Sequence, residues 1–240
     1  MELVSNKKQY SPYVGPRPFQ NNSSDRAVFY GRDYESQEII SLILANPIVL
    51  VYSQSGSGKT SLFNAKVYPT LAEQYDFQVF PTALVRGAIP ENLDIGKIPN
   101  LYIFNILQSL NPKSSDIKAK SMALQNEDLA SFLKRYPRLS ADTDKNKDQD
   151  EPNLKLIVFD QFEDFFNIFP PNNWQKQQND FFMQIIEALE NDPSLRIVFV
   201  MREEYVAQLD PFAYQLPGKL RVHFRLEPLK RDSALLAVTH

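Results

Sequence analysis

The clearest chemical signal in the chain is the segment Ser53-Gln54-Ser55-Gly56-Ser57-Gly58-Lys59-Thr60-Ser61. Its glycines let the backbone approach a ligand without a Cβ in the way, and Leu62-Phe63-Asn64-Ala65-Lys66 then reads as a helix. Consecutive backbone N–H groups and the positive end of a helix dipole can surround a phosphate at such a junction. Ser55, Gly56, Ser57, Gly58 and Ser61 would form the cradle, Lys59 would reach the β and γ phosphates, and the Thr60 hydroxyl would ligate Mg²⁺. The pattern G-x-x-x-x-G-K-[ST] is met except at its first position, where Ser53 replaces Gly and is expected to cost some backbone strain. The alternative is a Gly/Ser-rich turn that merely precedes a helix. The apolar run Ile48-Val49-Leu50-Val51-Tyr52 just before it supplies the strand that phosphate binding requires.

A second acidic position follows another buried run. Leu156-Ile157-Val158-Phe159 leads into Asp160, which an α/β sheet would place at the carboxyl edge, where ligands bind. A carboxylate there needs a partner, and Mg²⁺ on nucleotide phosphates supplies one, directly or through a water. Glu163 could accept a proton from the attacking water or orient it, with Asp164 a weaker candidate. The alternative makes both acids first-turn caps of the next helix. Arg202 follows the run Ile197 to Met201 in the same way and could sense or neutralise a γ-phosphate; otherwise it would pair with Glu203, Glu204 or Asp160. Upstream, Phe29-Tyr30-Gly31-Arg32-Asp33 lies where Tyr30, Gly31 and Arg32 could close over the base or the phosphates. Phe162, Phe165, Phe166 and Phe169 recur at i, i+3, i+4 and i+7, the stripe of a helix packed on a core rather than a platform for stacked bases.

The elements that position these groups alternate in type. Besides Ile48 to Tyr52, strand character appears at Phe77 to Val85, Leu154 to Phe159, Arg196 to Met201, and, as an edge, Leu220 to Leu226. Helix-period segments lie between them: Arg32 to Ala45, ended by Pro47; Ile103 to Leu110; Leu129 to Tyr136; and Phe181 to Leu189. Strands separated by helices need crossover connections, so the expected fold class is α/β with a mostly parallel sheet covered on both faces. Residues 1–28, rich in Pro, Asn and Ser, read as an extended N-terminal arm, 29–230 as the core, and 140–152 as a charged surface loop.

Composition narrows the function classes. The chain of 240 residues carries 26 basic and 29 acidic side chains, and the loop from Ser140 to Pro152 holds the acidic excess. That balance is not the footprint of a nucleic-acid or membrane-surface binder, so neither partner is expected. With no Cys and 2 His, thiolate zinc sites, Cys nucleophiles and multi-histidine metal sites are excluded. The polar N-terminus has no apolar signal region, and a soluble, cytoplasmic protein is expected.

Together these pieces resemble the nucleotide-binding domain of the STAND class of P-loop NTPases, in its bacterial branch known as novel STAND. The strings that carry the resemblance run from Pro12-Tyr13-Val14-Gly15-Pro16-Arg17-Pro18-Phe19 through Phe29-Tyr30-Gly31-Arg32-Asp33 to Gly56-Ser57-Gly58-Lys59-Thr60-Ser61-Leu62. They continue with Val85-Arg86-Gly87, Val158-Phe159-Asp160-Gln161-Phe162-Glu163-Asp164-Phe165-Phe166, Val200-Met201-Arg202 and Leu226-Glu227-Pro228-Leu229. Ser53 and Gln54 stand where the family has Gly-Pro, and Asp164 where it has a second Glu. The resemblance implies a P-loop three-layer sandwich with five parallel strands in the order 5-1-4-3-2, and ATP or ADP bound with Mg²⁺. It also implies a signal-transduction switch reset by slow hydrolysis. Residues 231–240 then read as the start of a helical lid, and protein partners or self-association are expected through regions beyond His240. A nucleotide-binding scaffold without turnover and a DNA-associated ATPase are the competing readings.

Overall fold

The computed structural model describes residues 17–91, 93–111, 117–135, 154–168, 170 and 173–229. The 140–152 loop, the expected lid at 231–240, Tyr136, Phe169 and the first part of the N-terminal segment lie outside them.

Five strands form one sheet: β1 (Ile48–Ser53), β2 (Gln78–Val79), β3 (Lys155–Phe159), β4 (Leu195–Arg202) and β5 (His223–Arg225). All pairings are parallel and the spatial order is β2-β3-β4-β1-β5, the expected order read from the opposite edge. Strict alternation of side chains sends Ile48 and Leu50 of β1, Ile157 and Phe159 of β3, and Ile197 and Phe199 of β4 into one core. Their neighbours Val49, Val51, Leu156, Val158, Val198 and Val200 go into the other. The first core is closed by α5 (Leu101–Leu110), α6 (Ile117–Leu124), α7 (Leu129–Arg135) and α9 (Trp174–Asn191), the second by α2 (Asp33–Ala45), α3 (Lys59–Leu62) and α4 (Tyr68–Gln74). Central strands buried on both faces have no polar side to show, which is why they read as unbroken apolar runs.

Three elements depart from expectation. Between Phe77 and Val85 only Gln78–Val79 is strand. Gln78 and Phe80 N–H bond the Leu154 and Leu156 carbonyls (2.8 and 3.0 Å), so Pro81 falls on the open side of the edge strand, where no donor is needed; the next bond, Ala83 N–H to Val158 C=O (2.8 Å), comes one residue late, and this extra residue reduces the pairing to a single bridge between Ala83 and Phe159. In the 1–28 segment, Ser23–Ala27 forms α1, because Asn22 caps it by accepting from the Asp25 N–H (2.9 Å). Phe162 and Phe165 are core and Phe166 packs against it half-buried, as their spacing implies, but the helix α8 spans only Asp164–Asn167. Phe162 sits in the preceding turn and stacks on Phe165 with ring centroids 5.0 Å apart, while Ile168 leaves the helix in extended backbone (φ −106°, ψ 124°).

The helix after the glycine-rich loop also changes winding. Between α3 and α4, Phe63–Val67 takes a wider π-type turn. Pro69 lacks the donor that would bond residue 65 and crowds that carbonyl, and the helix opens there. No helix among the described residues is long and apolar enough to cross a membrane.

Candidate nucleotide-binding site

Parallel register brings three strand ends to one edge. Ser53 of β1 lies opposite Arg202 of β4, and Phe159, the last residue of β3, lies opposite Phe199. Asp160 therefore emerges one residue past a buried strand, beside the loop that leaves β1. The cleft there has a volume of about 420 Å³. Its floor is the loop from Ser55 to Ser61, one wall is Asp160, Gln161, Glu163 and Arg202, and the opposing lip is Arg17 and Pro18.

The loop owes its shape to two left-handed residues, Gly56 at φ 78° and Gly58 at φ 89°. A Cβ at either would meet open space, so glycine is required there by backbone conformation rather than by crowding. Gly58 leads into α3, whose first-turn N–H groups have no acceptor within the helix. Ser53 is not strained. It is extended, fully buried and part of β1, and its hydroxyl contacts Ser57 Oγ. The same hydroxyl accepts from Lys59 Nζ at 2.7 Å, and the Ser53 and Gln54 carbonyls lie 3.3 and 3.2 Å from that ammonium. Burial pushes the Lys59 pKa below its ordinary value, against the opposing pull of the Glu163 and Asp160 charges.

Thr60 Oγ1 donates to Asp160 Oδ2 at 2.7 Å across a hundred residues of sequence, and Asp160 Oδ1 accepts from the Gln161 N–H at 2.9 Å. A carboxylate and a hydroxyl are thus in contact at the edge of the cleft, with Asp160 only 8 % exposed. Hard oxygen donors of this kind suit Mg²⁺, which keeps waters and phosphate oxygens in its shell and needs few protein ligands. Among the described residues, no group of three His, Cys, Asp or Glu forms a denser metal cage.

Glu163 precedes α8 at the capping position, yet its side chain makes no cap bond. It turns to Arg202 instead, accepting from Nε at 3.0 Å and from the backbone N–H at 3.3 Å. Arg202 therefore pairs with Glu163 rather than with Glu203, Glu204 or Asp160, the partners its sequence position suggested; Glu203 is taken by Arg225 (2.9 Å).

Tyr30, Gly31 and Arg32 approach from behind the loop and do not line the cleft. Gly31 takes φ 80°, Tyr30 is half-buried, and Arg32, 2 % exposed, spans Glu35 Oε1 (2.6 Å) and the Ser57 carbonyl (3.1 Å). The buried guanidinium thereby braces the loop. Arg17 was not expected at the site. It arrives because Phe19 N–H bonds Ser61 Oγ (3.2 Å) and Asn64 Nδ2 bonds the Phe19 carbonyl (2.8 Å); apart from the Pro-Arg-Pro-Phe string itself, no local pattern signals that docking.

The family model for Novel STAND NTPase 1 matches residues 12–240. No curated protein matches the chain. Among solved structures, a Walker-type ATPase of Pyrococcus abyssi is similar over 93 % of this chain and 60 % of its own, with 16 % identity and TM-score 0.56. The ORC2 protein of Aeropyrum pernix, solved as ADPNP and ADP complexes, is similar over 92 % of this chain and 51 % of its own, with 14 % identity and TM-score 0.52. The ORC1 protein of Aeropyrum pernix in complex with DNA gives 13 % identity over 88 % of this chain and 50 % of its own, with TM-score 0.49. These likenesses are of fold. The chain spans about half to three fifths of the length of those proteins.

Proposed function

The chain belongs to the Novel STAND NTPase 1 family, and from that premise we propose that it binds ATP or ADP with Mg²⁺ and hydrolyses ATP slowly, as the nucleotide domain of a signal-transducing protein. One observation carries the reading: Lys59, the Thr60–Asp160 pair and the Glu163–Arg202 pair converge on a single cleft floored by the glycine-rich loop. The nucleotide complexes of the similar ORC2 structure support the choice of ligand.

The roles follow from the positions. Loop amides and Lys59 hold the phosphates, the ammonium leaving its contacts with Ser53 and Gln54 for phosphate oxygens. Thr60 and Asp160 would hold Mg²⁺, which neutralises charge on the phosphates when bound. Glu163 takes the proton of the attacking water as its oxygen bonds to the γ-phosphorus and the bond to the bridging oxygen breaks, releasing ADP and phosphate. Arg202 offers its guanidinium to the γ-phosphate. Glu163 and Arg202 hold each other, so Arg202 must turn from the base to reach the phosphate, which supports slow turnover and a response to the γ-phosphate.

The test is calorimetric titration of ATP and ADP with and without Mg²⁺, followed by single-turnover hydrolysis. Mg²⁺-assisted binding with measurable ADP production is expected. Absence of binding refutes the nucleotide reading, and tight binding without turnover favours the scaffold.

A further inference from the structure

Arg17 is the unexplained member of the cleft. Asp25, whose side chain is 6 % exposed against 48 % for Arg17, accepts from both terminal nitrogens, Nη1 to Oδ2 at 2.6 Å and Nη2 to Oδ1 at 3.0 Å. Nη1 also reaches the Pro18 carbonyl at 3.0 Å, and the Gln20 N–H completes the carboxylate at 2.7 Å. Three of the four terminal N–H groups of the guanidinium are thereby used, and most of its charge is answered by a buried partner. What Arg17 has left to offer is its flat face, at a lip of the cleft that Pro18 shares.

The position of that face along the cleft follows from the loop. Lys59 and the pairs Thr60–Asp160 and Glu163–Arg202 mark the terminal phosphates. The arm docks at Ser61 and Asn64, past Thr60, toward the end of the cradle where the phosphates join the nucleoside. Phe19 of the arm also packs edge-on against Phe29, at 5.1 Å between ring centroids, which anchors the arm from a second side. A guanidinium with satisfied edges and an open face stacks on aromatic rings.

We propose that Arg17, oriented by Asp25 and flanked by Pro18, is the platform on which the nucleobase of the bound nucleotide stacks. The inference rests on the nucleotide reading of the cleft. It makes Arg17 a binding residue and Asp25 a positioning residue, and it gives the N-terminal segment a part in ligand recognition.

Stacking and charge pairing predict different responses. Arg17→Ala should weaken ATP and ADP to the same degree, by roughly 5- to 100-fold, the usual range for a lost stacking partner. Arg17→Lys keeps the charge but not the plane and should bind as poorly as Arg17→Ala, while inorganic tripolyphosphate, which has no base, should bind all three proteins alike. The double variant Arg17→Ala/Asp25→Asn removes both charges together, so a loss of nucleotide affinity there does not stem from a stranded buried carboxylate. Binding is read by calorimetry, with thermal unfolding as the check on folding. Parent-like affinity in Arg17→Ala or in the double variant, restoration by Lys, or an equal loss of tripolyphosphate overturns the proposal. Failure of the parent to bind ATP at all would instead refute the nucleotide reading.

Discussion

Replacing Glu163 with Gln separates chemistry from architecture. The side chain accepts from Arg202 Nε at 3.0 Å and from the Arg202 N–H at 3.3 Å. Glutamine keeps one acceptor for the guanidinium and gives up the longer bond and the charge. Arg202 is 47 % exposed at its side chain and remains hydrated, so the cost to the fold is about 1 kcal/mol or less. Binding should not suffer, because one negative charge near the phosphates disappears; ATP affinity is expected to be unchanged or tighter. A water that loses its base or orienting group typically reacts ~10²- to 10⁴-fold more slowly, which corresponds to ~3–5 kcal/mol on the barrier. Single-turnover hydrolysis of γ-labelled ATP, at protein concentrations that saturate binding, reads that step without product release. A rate within about threefold of the parent would refute the assignment and leave Glu163 as the anchor of Arg202 alone. A parent that never turns over would refute hydrolysis itself.

Lys59→Ala should raise the ATP dissociation constant by roughly 10- to 150-fold, the equivalent of a lost charge-assisted bond of ~1.5–3 kcal/mol; unchanged calorimetric affinity would remove the phosphate-loop assignment. Thr60→Ala or Asp160→Asn should make ATP affinity nearly the same with Mg²⁺ and with a chelator, whereas an undiminished Mg²⁺ effect would place the cation elsewhere. The Arg17 fork first, and then the Gln20 N–H, hold the Asp25 carboxyl at about 2, down from an ordinary 3.8. Ionised Asp25 therefore stabilises the folded protein fully above about pH 4, and that contribution fades as the pH falls toward about 2. The gap in denaturation midpoint between parent and Asp25→Asn should narrow over that window, and a constant gap would contradict the pairing. Phe162→Ala empties a fully buried site against Phe199, 4.4 Å away between ring centroids. It should cost ~3–5 kcal/mol, lowering the melting temperature by about 6–20 °C; a parent-like melt would show that Phe162 is not core.

Local patterns carried much of the architecture. Ile48–Ser53 and Lys155–Phe159 are strands in any context that buries both their faces, and the glycines at 56 and 58 are needed wherever the backbone must turn left-handed before a helix. Residue chemistry likewise marked Lys59, Thr60, Asp160, Glu163 and Arg202, because each follows an apolar strand or a glycine turn. Pro81 was visible too, but whether it disturbs a strand depends on which side its nitrogen faces; here it falls on the open side of an edge strand, and the ladder is interrupted by the one extra residue between Phe80 and Ala83.

Partner choice was decided only in three dimensions. Thr60 and Asp160 are a hundred residues apart, and Glu163 and Arg202 thirty-nine; no interval in the chain says that these acids and donors meet, since that depends on strand order and on the register of β4 against β1 and β3. Ser53 looked like a strained substitute for glycine, yet β1 runs one residue further than its apolar pattern, so the residue is extended and its hydroxyl accepts from Lys59. Arg17 illustrates the same limit, because its place at the cleft follows from two hydrogen bonds to residues more than forty positions away and from a carboxylate buried by a five-residue helix. A side chain's type sets what it can bind, and the packing of distant segments sets which of those partners is within reach.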